Sequence, residues 1–228
     1  MQVVILAAGA GVRMRPLTAD TPKPLLRIGG QTLLDHIFAA LPAEVDHAVI
    51  VVKYLADQIK KYCGANFHGR AITYAEGSAL GTAYSFLAAR PHLVDERFLF
   101  LYGDELPSRQ DVAACLTERA SILCWRVADP EHHGVVAVGK DGIISEIIEK
   151  PAHPAGNLIA DGVMVLNKKI FSYAPEKQQG EYFFTDMLNH FVREERVTAV
   201  ASGRGIGGIS TPADIARVEA WLAAHPRQ

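Results

Sequence analysis

Short apolar runs alternate with amphipathic stretches along most of this chain. Gln2–Leu6 is an apolar run too short for a helix and leads to a glycine, so it reads as a strand buried on both faces. Over Thr32–Leu41, the residues Leu33, Leu34, Ile37, Phe38 and Leu41 recur at spacings of three and four, the period of an amphipathic helix. The alternation continues with strands over Ala48–Val52, Ala71–Tyr74, Phe98–Tyr102 and Ser121–Val127. Helices over Leu55–Tyr62, Gly81–Ala89 and Val112–Arg119 fall between them. Strand–helix–strand units in series imply an α/β fold, with a mostly parallel sheet covered by helices on both faces.

After Asp129 the period changes. Gly134–Val138, Ile143–Ile148 and Gly162–Leu166 are strand-like, and Asp141-Gly142 is a turn signal joining the first two as a hairpin. Residues of about 129–166 therefore read as a small β insertion beside the main sheet. A helix over Thr185–Arg193, a strand over Val197–Ala201 and a closing helix over Pro212–Ala224, with proline in its first turn, complete the chain. There is no internal repeat or low-complexity tract, and the Pro/Gly-rich His153–Asn157 reads as a loop, so residues 1–228 are expected to form a single domain.

The first strand runs straight into Leu6-Ala7-Ala8-Gly9-Ala10-Gly11-Val12-Arg13-Met14-Arg15-Pro16-Leu17-Thr18, and Pro22-Lys23-Pro24 follows. Small residues let backbone N–H groups approach an anion closely, and the arginines and lysine add charge, so the loop suits a polyphosphate. It is not a Walker A loop, because no Gly-Lys-Ser/Thr closes it. Nor is it a dinucleotide fingerprint, because Met14 stands where the third glycine belongs. Ligands of open parallel sheets lie across the carboxyl ends of the strands. The loop after Leu6, Gly81 after the Tyr74 strand, and Gly103-Asp104 after the Tyr102 strand all fall at such ends and are expected to meet in one crevice. Asp104 suits Mg²⁺, which takes a carboxylate together with phosphate oxygens; an Asp in such a turn also serves as a plain cap or turn residue.

Composition narrows the partners. A formal net charge of −2 offers no basic surplus for nucleic acid or an anionic membrane, so any anion site must be local. No apolar run approaches the ~20 residues of a membrane-spanning helix, and no leader-like pattern opens the sequence. Cys63, Cys115 and Cys124 lack metal-type pairing and read as reduced, mostly buried thiols, as expected of a cytoplasmic protein.

Taken whole, the first loop resembles the signature of the sugar-1-phosphate nucleotidylyltransferases, the pyrophosphorylases that make nucleotide sugars. Their pattern, Leu-Ala-Ala-Gly-x-Gly-x-Arg-Leu/Met-x-Pro-Leu-Thr followed by Pro-Lys-Pro, is matched throughout by Leu6–Thr18 and Pro22–Pro24. Further motifs follow in the family's order: Glu76 to Ala83 with its Leu-Gly-Thr-Ala, Gly103-Asp104, Gly134-Val135-Val136, Glu149-Lys150-Pro151, Asn157 and Gly162. The resemblance implies a Rossmann-like three-layer core with a sugar-binding β insertion. It also implies a reaction in which an NTP and a sugar 1-phosphate give a nucleotide sugar and pyrophosphate, with Mg²⁺ as cofactor.

Residue by residue, the resemblance implies that Leu6, Ala8, Gly9, Gly11, Gly81 and Thr82 line the nucleotide site. Arg13 would hold the phosphates, Lys23 would stabilise charge at the α-phosphate, and Asp104 would bind the metal. Glu149 and Lys150 would meet the sugar and its phosphate, with Gly134, Asn157, Asp161 and Gly162 around them. Glu76 occupies the position where thymidylyltransferases of the family carry a base-reading Gln. A carboxylate only accepts, so Glu76 suits a base edge that donates: GTP first, then UTP or dTTP, with ATP and CTP disfavoured. Thr185-Asp186 resembles the family's later Thr-Asp, although a helix-start cap is an equal reading.

The last family motif, Trp-x-Asp-Ile/Thr-Gly-Thr-Pro, is broken here: Ile206-Gly207-Gly208-Ile209-Ser210-Thr211-Pro212 has Gly208 in place of the second metal-binding Asp and Ser210 in place of a glycine. That leaves Asp104 as the one expected metal carboxylate. It also keeps open a regulatory protein that binds a nucleotide sugar without turnover. A nucleotidyltransferase with a non-sugar acceptor such as phosphocholine is the other alternative, and a homo-oligomer is left open.

Overall fold

The computed structural model describes residues 1–178, 180–202 and 207–224; Ile206 of the closing motif lies outside them. At its centre are four parallel strands: β1 (Gln2–Ala7), β2 (His47–Val52), β3 (Arg70–Glu76) and β4 (Arg97–Tyr102), in the order β4-β1-β2-β3. Their register brings the carboxyl ends to one edge. Leu6 pairs with both Val51 and Tyr102, and Val52 pairs with Glu76.

Alternate residues of β1 feed two cores, as the period-2 geometry of a strand requires. Val3 and Ile5 pack under α1 (Leu33–Ala40), α2 (Ala56–Cys63) and, through Leu99 and Leu101 of β4, α4 (Arg109–Leu116). Val4 and Leu6 face α3 (Thr82–Leu87) and α5 (Phe184–Glu194). A third cluster fastens the phosphate loop to the chain's end. Met14, fully buried, packs with Leu26, Ile28, Leu33, Leu106, Ile209 and Val218, the last on α6 (Pro212–Ala224). Met14 at the third-glycine position is therefore an anchor. Cys63, Cys115 and Cys124 are buried free thiols. Among the described residues, no helix is long and apolar enough to cross a membrane.

The β insertion differs from the expectation. β5 (Ser121–Arg126), the hairpin β6 (Gly134–Val138) and β7 (Ile144–Glu149), β8 (Leu158–Asn167) and β9 (Thr198–Ala201) all belong to the same ten-stranded sheet as the parallel core. The hairpin does not sit beside the sheet but extends it, through Ile159 of β8 opposite Val135. The sheet is thus parallel at its core and mixed outside it, since β8 runs antiparallel to both β4 and β5. β8 is ten residues long, about twice the expected strand, because its first half includes Asp161-Gly162, which breaks the apolar run. The pairing of β8 with β5 shifts register between Ala160 and Met164, so Asp161 and Gly162 lie in an irregular stretch. α4 begins three residues earlier than the periodicity implies, because Ser108 caps it by accepting from the Asp111 N–H.

Candidate active site

The phosphate loop leaves β1 and turns at Gly11, whose φ of +58° lies in the left-handed region that favours glycine. A Cβ there would come within 3.1 Å of Thr18 Cγ2. The Gly11 carbonyl accepts from the Met14 N–H and the Thr18 hydroxyl, each at 2.8 Å. With Met14 anchored below, Arg13 is exposed and faces the cavity, where its Nη2 lies 3.4 Å from Ser210 Oγ. Lys23 is held in a single 3₁₀ turn between Pro22 and Pro24 and is 9% exposed. Its Nζ reaches Asp104 Oδ2 at 2.5 Å, joining the first loop to the end of β4.

These parts enclose a cavity of about 740 Å³ across the carboxyl ends of the parallel strands. Leu6, Ala8, Gly9, Gly11, Arg13, Lys23, Gly81, Thr82 and Asp104 all line it. Glu76 does not: it is exposed at the end of β3, outside the lining. Glu181 lines the cavity instead, and the sequence reading did not single it out. It sits on a small antiparallel pair, Lys177–Gln178 with Glu181–Tyr182, docked over the glycine-rich segment. The Tyr182 N–H donates to Leu80 O at 3.0 Å, and the Phe184 N–H to Thr82 Oγ1 at 2.9 Å. Gly81 has φ +131°, and a Cβ there would run into the Tyr182 backbone. Only glycine permits this docking.

A second group lies beside the cavity rather than in its lining. Glu149 ends β7, and its Oε2 accepts from the Thr185 hydroxyl at 2.6 Å. Thr185 is thus no helix cap; Phe183 holds the N-cap position of α5. Lys150, at φ +42°, has Nζ 3.6 Å from Glu149 Oε1 and 5.3 Å from the centroid of the Phe183 ring. Gly134 pairs directly opposite Glu149. Asn157 is exposed and accepts from Arg126 Nη1 at 2.6 Å. Asp161 accepts from the Gly162 N–H at 2.6 Å.

Tyr102 connects the two groups. It lines the cavity, and its phenol is pushed up first by burial and then by the charges of Glu149, Asp104 and Glu105. Glu105, which the sequence did not single out, lines a small separate pocket with Asp161. Burial, and then the charges of Asp161 and Asp104, hold its carboxyl well above the usual range. Asp161, its hydrogen-bond partner, is pushed up to about 6, with burial the main cause. The two half-buried carboxyls hold a proton between them more readily than either would in water. Nothing in a Glu that follows Asp104 in a loop distinguishes it from a solvated acid, so no sequence signal was available.

The donors near Asp104 are hard carboxylate oxygens, of the type Mg²⁺ takes. Among the described residues, no three His, Cys, Asp or Glu side chains form a metal cage. Mg²⁺ bound with substrate phosphates needs only one or two carboxylates, so the residues fit that ion as a companion of a nucleotide.

Comparison with known proteins agrees with this geometry. The family model described as "Nucleotidyl transferase" matches residues 2–222. The chain is 32% identical over 225 residues to the bifunctional protein GlmU of Methanocaldococcus jannaschii, covering 97% of this chain but 54% of GlmU. It therefore spans about half the length of that relative. It is 31% identical over 233 residues to the UTP–glucose-1-phosphate uridylyltransferase AglF of Haloferax volcanii, covering 97% of this chain and 89% of AglF. A Bacillus anthracis structure assigned as a glucose-1-phosphate thymidylyltransferase, in complex with a sucrose, superposes with a TM-score of 0.85 at 26% identity, covering 100% of this chain and 97% of the other.

Proposed function

The chain belongs to the nucleotidyl transferase family, and on that premise we propose that it transfers a nucleoside monophosphate from an NTP to a sugar 1-phosphate, releasing pyrophosphate. The observation that carries the reading is Lys23. It is pinned between two prolines, buried, and 2.5 Å from Asp104 on the wall of a cavity built from the strand ends.

The nucleotide's phosphates lie against the amides of Gly9 and Gly11 and the guanidinium of Arg13. The incoming sugar phosphate is already ionised at pH 7, so no general base is needed. Its oxygen attacks the α-phosphorus, a new P–O bond forms, and the bond to the β-phosphate breaks to release pyrophosphate. What remains for the protein is in-line positioning and the screening of several negative charges. Lys23 stabilises the charge that develops at the α-phosphate. Lys150, steadied by Glu149 and the Phe183 ring, neutralises the attacking phosphate. Glu149, fixed by the Thr185 hydroxyl, meets sugar hydroxyls, with Gly134, Asn157, Asp161 and Gly162 lining the rest of that pocket. Asp104 would hold Mg²⁺, which would supply charge neutralisation for the nucleotide phosphates.

The base lies on the Gly81-Thr82 segment under the strand that carries Glu181. Glu181, like Glu76, only accepts, so the preference for a base edge that donates stands whichever of the two meets it. AglF is named for UTP, which favours UTP or dTTP ahead of GTP, with ATP and CTP last.

The direct test is pyrophosphate release with each of four NTPs against a panel of sugar 1-phosphates, with phosphocholine as a non-sugar control. Release that depends on a sugar 1-phosphate and UTP or dTTP supports the reading. Release with phosphocholine alone redirects it to a non-sugar acceptor. Nucleotide-sugar binding with no turnover favours the regulatory reading that Gly208 keeps open.

A further inference from the structure

The transfer chemistry leaves one cation of the cavity wall unused. Lys53 directly follows β2 at the carboxyl edge of the sheet and lines the cavity together with Tyr54. Its side chain is exposed and makes no hydrogen bond or ion pair with any described residue. Lys23, by contrast, is paired with Asp104, and Lys150 with Glu149. The backbone around Lys53 is fixed on both sides. The Val52 carbonyl accepts from the Gly77 N–H at 2.8 Å, and the Tyr54 hydroxyl donates to the carbonyls of Thr18 and Ala19 at 2.9 and 2.8 Å. The strand order β4-β1-β2-β3 places the cation in the cavity. Along this edge β4 leads to Asp104, β1 to the phosphate loop, β2 to Lys53 and β3 to the segment that carries Gly81 and Thr82. Lys53 therefore lies on the base side of the phosphate loop, two strands away from Asp104. Ala7 pairs with Val52 and Val52 with Glu76, which sets Ala8, Lys53 and Gly77 at one level. A Cβ on Gly77 would lie 2.6 Å from Ala8 Cβ, so the phosphate loop and the base segment close on each other beside Lys53. Glu181 lines the same cavity from its docked strand, and its carboxylate likewise has no partner among the described residues. A donor and an acceptor thus face the cavity, neither of them engaged by the protein.

We propose that Lys53 selects the base, its ammonium donating to the exocyclic carbonyl oxygen of a keto base: O4 of uracil or thymine, or O6 of guanine. An ammonium only donates. Cytosine and adenine carry an amino group at the same ring position, which also donates. Lys53 would then meet a donor, and a charge taken out of water would be left without a partner. The ring N–H beside the carbonyl is left for a carboxylate, the part that Glu181 offers. The proposal rests on the reading of the cavity as a nucleotide site with the base on the Gly81-Thr82 segment. It adds to that reading the donor that an acceptor-only carboxylate cannot supply.

The test measures binding of UTP, GTP, CTP and ATP by isothermal titration calorimetry, with Mg²⁺ and no acceptor present, to the wild type, Lys53→Met and Lys53→Arg. The wild type is expected to bind UTP or GTP more tightly than CTP and ATP. Lys53→Met keeps the apolar stem and loses the charge. It should weaken the preferred keto nucleotide roughly tenfold, the scale of one hydrogen bond to a charged group. Its affinities for CTP and ATP should stay where they were, which also shows that the variant is folded. Lys53→Arg still donates and should keep most of the preference. Equal weakening of all four nucleotides in Lys53→Met would make Lys53 a phosphate contact and overturn the proposal. Unchanged binding of all four in that variant, or a wild type that binds the four alike, overturns it as well. In each of those cases the cavity remains a nucleotide site. A wild type that binds none of the four contradicts the nucleotide-site reading itself.

Discussion

Lys23 joins the two halves of the site through one ion pair, so its removal separates binding from chemistry. Lys23→Ala is expected to lower kcat by roughly 10²–10³, the usual cost of one preorganised charge donor, while the KM for NTP changes little. Steady-state kinetics with both substrates varied would check this; a normal kcat would make Lys23 a structural partner of Asp104 only. Thr185 is a positioning residue of a different kind. Thr185→Val removes one hydrogen bond to the Glu149 carboxylate, worth about 1.5–3 kcal/mol. It should raise the KM for sugar 1-phosphate about tenfold or more, with the KM for NTP unmoved. An equal change in both would place Glu149 outside the sugar pocket. At this scale the sequence exposed Lys23, Arg13 and Asp104 because each sits in a run whose neighbours constrain it. Glu105 and Glu181 stayed hidden because their surroundings come from residues far along the chain: Asp161 for one, the Gly81 turn for the other.

Among the elements, α1 shows how local chemistry fixes the frame around the site. Thr32 and Asp35 form a reciprocal capping box, and Tyr62 and His68 also donate to Asp35. Burial raises the Asp35 pKa, but the hydrogen bonds from Tyr62, Thr32 and His68 outweigh it, taking the group from the usual 3.8 to about 2. Because the folded pKa lies below the unfolded one, the stabilisation is fully present above about pH 4 and is lost as the pH falls through 2. The shift corresponds to about 2 kcal/mol. Urea unfolding of the wild type between pH 4 and pH 2 should show this loss, and Asp35→Asn should lack that part of the slope. Parallel pH profiles for the two proteins would remove Asp35 from the account. The helix itself was legible, since Leu33, Leu34, Ile37 and Phe38 repeat at helical spacing and are all buried. The first half of β8 was not, because Asp161-Gly162 interrupts its apolar run.

Across the whole molecule, the alternation of apolar runs and amphipathic helices reported the α/β class and the common edge where the strands end. It could not report that the insertion continues the main sheet. That continuity depends on pairing between β8 and β4, and between β8 and β6, which lie far apart in sequence. The consequence is mechanical: Asp104 follows the end of β4, while its neighbour β8 carries Asp161 and Gly162, so both ends of the proposed site are built on one sheet. The measurement that tests the central claim most directly is phosphorus NMR of the protein with UTP, a sugar 1-phosphate and Mg²⁺. The account predicts that nucleotide sugar and pyrophosphate appear in equal amounts, and that added pyrophosphate drives the reaction back to UTP and sugar 1-phosphate. Pyrophosphate formed without a sugar phosphate, or unchanged spectra under conditions where both substrates bind, would contradict it.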